Sequence, residues 1–374
     1  MMHVHVVYTG GTLGMVDTPH GLAPGADVES WLAELGAGLL APGSASSGPA
    51  VTTPLPSAPP SAPAQPGNGR LGSGDPPAIP PPGGVLLTMS RTGRLIDSSN
   101  ATPENWQQII DELRARREDA DAFVVLHGTD TMAYTAAALG YALTGFGAPV
   151  VLTGAQYPIG VMGSDAAANV TGAVQAAAGG RLRGVGVFFG HHLFAATRTT
   201  KVSSWAFEGF GSPDAAALAT QGAPWRWTPA PAPGHGWADP APYRRRDVLV
   251  LDLVPGISTS RIAAAAEPAP EAVILRAFGV GNVPGEEPGF TDLLAGLVDS
   301  GVPVVVASQC HQAQVLMGHY EASDALARTG AISARDMTLE ALYAKLVFLL
   351  CQGLGGDELA HWMSVNIAGE LTPG

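Results

Sequence analysis

The chain has 374 residues, 46% of them hydrophobic, and a formal net charge of −13. That length buries a sizeable core and suits two domains, and no apolar run approaches the roughly 18 residues needed to cross a bilayer. The acidic balance argues against nucleic acid as a partner, because phosphate backbones are held by clustered Lys and Arg and the longest basic run is Arg244, Arg245 and Arg246. Two cysteines, Cys310 and Cys351, supply neither a disulfide framework nor a four-ligand zinc set. With no basic and then apolar leader before the first strand-like residues, the expected location is cytoplasmic.

The first strand-like run, Val4 to Tyr8, ends in the turn Thr9-Gly10-Gly11-Thr12-Leu13-Gly14. Its glycines permit close approach of a ligand to the main chain, but they lack the G-x-G-x-x-G spacing of a dinucleotide site. Residues 14–25 read as a mobile loop, and Val28 to Leu40 as a helix with Trp31, Leu32, Leu35 and Leu39 on one face. From 41 to 84 the chain is dominated by Pro, Ala, Gly and Ser without a hydrophobic period, so it buries too little surface to offset its ordering entropy. A disordered insertion is expected there.

Val85 to Met89 reads as the next strand, followed by Asp97-Ser98-Ser99 and a helix start with Thr102 at N-cap and Pro103 at N1. The apolar face Ile109, Ile110, Leu113 makes Trp106 a core residue. Phe123 to Leu126 is short, apolar and β-branched at its centre, as in a strand buried on both faces. It passes through His127 and Gly128 to Thr129, Asp130 and Thr131, and then to an Ala- and Leu-rich helix from Met132 to Leu143. Those three polar residues therefore stand at a strand's carboxyl end and a helix N-terminus, where open α/β sheets bind ligands, although the ordinary role of such residues is capping. Strand Pro149 to Leu152, helix Asp165 to Ala178 and strand Val185 to Phe189 repeat the alternation.

The fold class is thus α/β, a mostly parallel sheet flanked by helices in a larger N-terminal domain, 1–210. Residues 211–246, rich in Gly and Pro with Trp225, Trp227 and Trp237, read as an inter-domain linker packed by its aromatics. Strands at Val248 to Val254, Val273 to Leu275 and Pro303 to Ala307, with helices near Thr291 to Asp299 and Thr338 to Leu350, make a smaller C-terminal α/β domain, 247–374.

Composition singles out one more residue. Lys201 and Lys345 are the only lysines beside 17 arginines, and a desolvated lysine gives up a proton where arginine does not, so a proton-transfer role resists drift toward Arg. Thr12 is the candidate nucleophile, with neighbouring backbone N–H groups to stabilise an oxyanion. His127, at a buried strand end, reads as a hydrogen-bonded structural histidine, and His191, His192 and His311 have no metal-ligand partners at useful spacing.

The pair T-G-G-T-L-G (Thr9 to Gly14) and H-G-T-D-T-M (His127 to Met132), in this order and each ending a strand, resembles the two signature segments of the bacterial-type L-asparaginase family. The likeness continues through D-S-S at Asp97 to Ser99, R-T-T-K at Arg198 to Lys201, I-L-R-A-F-G-V-G-N at Ile274 to Asn282 and G-E-L-T-P near the C-terminus, and its details resemble the cytoplasmic type I enzymes. The resemblance implies hydrolysis of L-asparagine to L-aspartate and ammonia through a threonine acyl-enzyme, without cofactor or metal. It assigns Thr12 as nucleophile, Thr129, Asp130 and Lys201 as the second reactive group, and Asp97, Ser98, Ser99, Thr129, Asp130 and Asn282 to the substrate. Asn282 would cross between subunits of a dimer or tetramer, and Thr200, Arg276 and Cys310 match an allosteric asparagine site. One departure stands out: Leu22 occupies the place of a loop tyrosine that assists the nucleophile, and no tyrosine lies between Tyr8 and Tyr134. Two alternatives therefore remain beside the asparaginase reading, an asparagine-binding or regulatory protein with little turnover and an amidohydrolase acting on glutamine or another amide.

Overall fold

The computed structural model describes residues 1–19, 21–40, 84–229, 232–317 and 326–373. The insertion expected at 41–84 lies outside them, apart from Gly84. The N-terminal part carries β1 (Met2–Gly10), β2 (Met15–Thr18), β3 (Gly21–Pro24), α1 (Val28–Leu40), β4 (Val85–Ile96), α2 (Pro103–Ala115), β5 (Ala122–Leu126), α3 (Met132–Ala142), β6 (Val150–Thr153), α4 (Ala166–Ala178), β7 (Val185–Phe189), β8 (His192–Ala195), β9 (Thr200–Lys201), β10 (Phe210–Gly211), β11 (Ala219–Thr220) and β12 (Arg226–Trp227). Eight of these strands form one sheet in the order β12-β11-β8-β7-β6-β5-β1-β4. Strands β4, β1, β5, β6 and β7 are mutually parallel, and β8, β11 and β12 add an antiparallel edge.

The C-terminal part holds a separate four-stranded parallel sheet of β13 (Val248–Asp252), β14 (Ala272–Ala277), β15 (Val304–Ser308) and β16 (Ile332–Ser333). Its helices are α5 (Thr259–Ala265), α6 (Phe290–Asp299), α7 (Leu339–Cys351) and α8 (Gly356–Ser364). Helix α3 is buried almost all round because it lies between the large sheet and α7, where the Tyr141 hydroxyl donates to the Ala341 carbonyl at 3.1 Å. Trp106 is buried edge-on against Tyr243 and Tyr343.

Three local expectations change. Residues 14–25 contain the antiparallel ribbon β2–β3, whose turn uses Gly21 at φ +102°; four-residue strands are too short for a period to show. Strand β4 continues past Met89 to Ile96 because β1 stays alongside and supplies its backbone partners. Within 211–246, β11 and β12 extend the large sheet, and Trp225 and Trp227 stack there with Phe188 beneath. Two-residue strands carry no pattern of their own, so composition alone read this stretch as linker.

Candidate active site

Strands β1, β4 and β5 are parallel neighbours, so the turns that follow them leave the sheet at one edge. Glycines let those turns touch. Gly10 has φ +120°, and a Cβ there would lie 2.4 Å from the Ile96 carbonyl oxygen at the end of β4. Gly11, at φ +93°, would place a Cβ 2.4 Å from the Cα of Gly128, and Gly128 would place one 2.4 Å from the Ser98 Oγ. No side chain fits at these contacts. Their consequence is that Thr12, Ser98 and Thr129, far apart in sequence, follow or form a single backbone junction.

Thr12 opens a one-turn 3₁₀ helix, Thr12–Gly14, and is half-buried. Ser98 is buried, with its carbonyl accepting from the Thr131 hydroxyl at 2.7 Å, while the exposed Asp97 caps its own turn by accepting from the Ser99 N–H at 3.2 Å. Thr131 thereby ties the 97–99 turn to the 128–131 turn. The sequence marks Thr131 only as part of that polar turn; its partner, Ser98, is brought to it by the fold.

Thr129 and Asp130 do not cap α3, whose N-cap is Thr131. Both bind the same ammonium: Lys201 Nζ donates to Thr129 Oγ1 at 2.9 Å and to Asp130 Oδ1 at 2.7 Å. The Thr129 residue is buried, the Lys201 side chain is 19% exposed and the Asp130 carboxylate 62% exposed, so the trio runs from the protein interior to solvent. The loop after β6 joins the two halves. Its Ile159 N–H donates to the Leu13 carbonyl beside Thr12, and Gln156 Nε2 donates to the Ala206 carbonyl beyond Lys201. Asp165 holds that loop in shape by accepting from the Gln156 and Tyr157 N–H groups at 3.0 and 3.1 Å.

His127 is buried, with Nδ1 at 2.7 Å from the Gly128 carbonyl and Nε2 at 3.0 Å from Thr135 Oγ1. Burial pushes its pKa down, which keeps the ring neutral and its nitrogens committed to these neighbours. Tyr8 is buried under the turn, its hydroxyl occupying the space where a Cβ on Gly14 would go. Leu22, which has no hydroxyl, falls in β3.

The remaining expected residues lie apart from this junction. Asn282 sits in the turn after β14 and exchanges backbone hydrogen bonds with Phe278. Thr200 is buried and donates to Glu340 Oε1 at 2.7 Å, Arg276 pairs with Asp252 at 2.8 Å, and Cys310 is exposed. Burial pushes the Glu340 carboxyl above the usual carboxylate range, against the pull of hydrogen bonds from Thr200 and the Lys201 N–H. Among the described residues, no helix is long and apolar enough to cross a membrane.

At this glycine-tightened edge of a parallel sheet the turn carrying Thr12 meets the turn carrying Thr129 and Asp130, which hold Lys201, and the class of protein to which such a fold and site belong is the amidohydrolases. The profile of the asparaginase N-terminal domain matches residues 3–231, that of the glutaminase/asparaginase C-terminal domain matches residues 247–363, and the chain belongs to the asparaginase family. It is 40% identical to L-asparaginase 1 of Escherichia coli over 281 residues, 75% of this chain and 83% of that one. It is also 35% identical to the 60 kDa lysophospholipase of Mus musculus over 292 residues, 77% of this chain and 51% of that longer protein. The crystal structure of L-asparaginase I from Vibrio cholerae superposes with a TM-score of 0.78 at 31% identity, covering 100% of this chain and 99% of the other.

Proposed function

We propose that this chain hydrolyses L-asparagine to L-aspartate and ammonia through an ester on Thr12. The contact between Gly11 and Gly128 carries the reading, since it sets the Thr12 turn against Thr129, Asp130 and Lys201. The Thr12 hydroxyl attacks the side-chain amide carbon, and its proton passes toward the Thr129 and Lys201 pair. Backbone N–H groups of the 10–14 turn stabilise the oxyanion. The amide nitrogen takes up a proton and leaves as ammonia; water then attacks the β-aspartyl ester and regenerates Thr12. Asp130 suits the substrate's α-ammonium, and Ser98 with the backbone of 97–99 suits its α-carboxylate. With Leu22 in place of a tyrosine, Lys201 and Thr129 carry the activation of Thr12 without a phenol.

The test is ammonia release from asparagine and from glutamine, with EDTA present. Thr12→Ala is expected to lower turnover by at least about 10³-fold while asparagine still raises the thermal midpoint; full activity in this variant would move the nucleophile to Thr129. If the parent chain binds asparagine without releasing ammonia from either amide, the binding-protein reading favoured by Leu22 replaces the enzyme.

A second copy of the chain is the proposed partner, in a dimer or tetramer to which Asn282 would contribute across the interface. Supporting it, Tyr157, Met162, Val202, Trp205 and Phe207 are exposed on the loops flanking Lys201, more apolar surface than a site rim leaves bare without reason. We place the protein in the cytoplasm. Thr200, Arg276 and Cys310 are proposed as an effector site for asparagine, supported by the Thr200–Glu340 hydrogen bond one residue from Lys201. Arg276→Ala is then expected to convert a sigmoidal asparagine saturation curve to a hyperbolic one, and an unchanged curve would remove the effector site.

A further inference from the structure

Lys201 reaches the active site from a strand of two residues, too short to hold an ammonium in place by itself. What fixes that strand lies behind it. Residues Ala196 to Thr200 are all buried, at 2, 1, 6, 0 and 7% exposure, and three of their side chains are engaged by the C-terminal part of the chain. Thr197 Oγ1 donates to the Ala368 carbonyl at 3.0 Å, and Thr200 Oγ1 donates to Glu340 at 2.7 Å.

Arg198 is the centre of the arrangement. Its Nε donates to the Gly369 carbonyl at 3.1 Å, its Nη1 to the Asp336 carbonyl at 3.2 Å and to Asp336 Oδ2 at 3.0 Å, and its Nη2 to Thr372 Oγ1 at 2.8 Å. The fork thus spans the loop before α7 and both ends of the 369–372 segment. Thr372 closes the ring, its N–H and hydroxyl both donating to the Asp336 carboxylate. Burial alone would raise that carboxyl, yet the Thr372 hydrogen bonds and the Arg198 charge hold it below the usual carboxylate range. The tail is itself anchored by Glu370, which accepts from the Ile367 and Ala368 N–H groups and pairs with Lys345 at 2.7 Å.

We propose that Arg198 and Thr372 are positioning residues for the hydrolysis: the C-terminal segment, clamped on Arg198, sets where the Lys201 ammonium meets Thr129 and Asp130. This rests on Lys201 being the proton carrier. None of the four described Arg198 acceptors belongs to the site, so the clamp acts on the reaction through Thr199 and Thr200, the two residues that separate Arg198 from Lys201. An error of about 1 Å in such a group is enough for roughly a hundredfold loss of rate.

Arg198→Lys keeps a charge opposite Asp336 but cannot span Gly369, Asp336 and Thr372 together. It is expected to lower kcat by about ten- to a hundredfold with KM changed less than about threefold, because Thr129, Asp130 and the 97–99 turn still bind substrate. Thr372→Val removes one acceptor from the fork and is expected to lower kcat by about tenfold, and Thr372→Ser, which restores the hydroxyl, to recover it. The full-length protein is used throughout, with the thermal midpoint measured beside the kinetics, so Thr372→Val tests the clamp even if Arg198→Lys does not fold. A Thr372→Val protein with a lowered midpoint and parental kcat would overturn the proposal, leaving the clamp merely structural. Lys201→Met separates the two ideas: full activity in that variant defeats the underlying role of Lys201, whereas an inactive Lys201→Met beside an unaffected Thr372→Val defeats only the clamp.

Discussion

Lys201 and Lys345, the two lysines of the chain, each sit 2.7 Å from a carboxylate oxygen, in very different surroundings. The Asp130 side chain that faces Lys201 is 62% exposed, and the pair opens to solvent beside a threonine. Lys345 and Glu370 are both 0% exposed, and the Lys345 ammonium also donates to the Met363 and Val365 carbonyls at 3.1 and 2.6 Å. Three donors meet three acceptors, so the buried charge is satisfied. The lysine signal that composition raises twice thus has two physical origins. At 201 it is a proton carrier within reach of water, as proposed above; at 345 it is a compact cation whose three donors match a closed cradle, where a planar fork with five donors would leave some unmatched.

The sharpest break of this contrast is Lys201→Met. Turnover is expected to fall by about 10³-fold, the range for losing a general acid–base group, while the thermal midpoint moves only slightly, because solvent-exposed ion pairs contribute about 0 to 1 kcal/mol. Ammonia release and calorimetry on the same sample check both halves, and a large drop in midpoint with normal turnover would make 201 a second scaffold lysine.

Lys345→Met should behave in the opposite sense. Leaving the Glu370 charge buried without its partner is expected to remove about 3 to 5 kcal/mol of stability, read from denaturant unfolding, with KM unchanged in the molecules that stay folded. Parental stability would show that the cradle holds no net energy.

A smaller effect asks whether a buried titratable group with no opposed carboxylate in contact makes the scaffold sensitive to pH. His5 is buried between Thr88 Oγ1 at 2.8 Å and Ser90 Oγ at 2.9 Å, with Ser90 donating onward to Glu112. Its pKa is pushed down to about 4, first by burial and then by the charge of Arg116. The unfolded chain, with histidine near 6.5, therefore binds more protons than the folded one between these values, so this contribution is complete above about pH 6.5 and is lost as the pH falls toward 4. The loss is expected to be at most about 3 kcal/mol, and His5→Gln should flatten the stability curve over that window. A variant as acid-sensitive as the parent would assign the slope to other groups.

Local chemistry explains how much of the fold is legible along the chain. The apolar run 123–126 and the helix after it stand as β5 and α3 within one residue at each end, because burial on both faces and an uninterrupted Ala-rich stretch are properties of consecutive residues. The ribbon β2–β3 and the strands β11 and β12 were not legible, since strands of two to four residues take their identity from partners elsewhere. Thr12, Thr129, Asp130 and Lys201 were readable as candidates, each standing at a turn or in a composition that asks for a reason.

What the sequence by itself determined is the character of each turn: a glycine pair that permits close approach to the main chain, hydroxyls and a carboxylate at strand ends, a lysine where arginine is the habit. Which groups meet was decided only in three dimensions. Lys201 finds Thr129 across 72 residues, and Arg198 finds Thr372 across 174. Such contacts depend on sheet order and on the docking of α7 against α3. These are set by the burial of whole faces, and burial, unlike hydrogen bonding, carries no direction that a short motif could record.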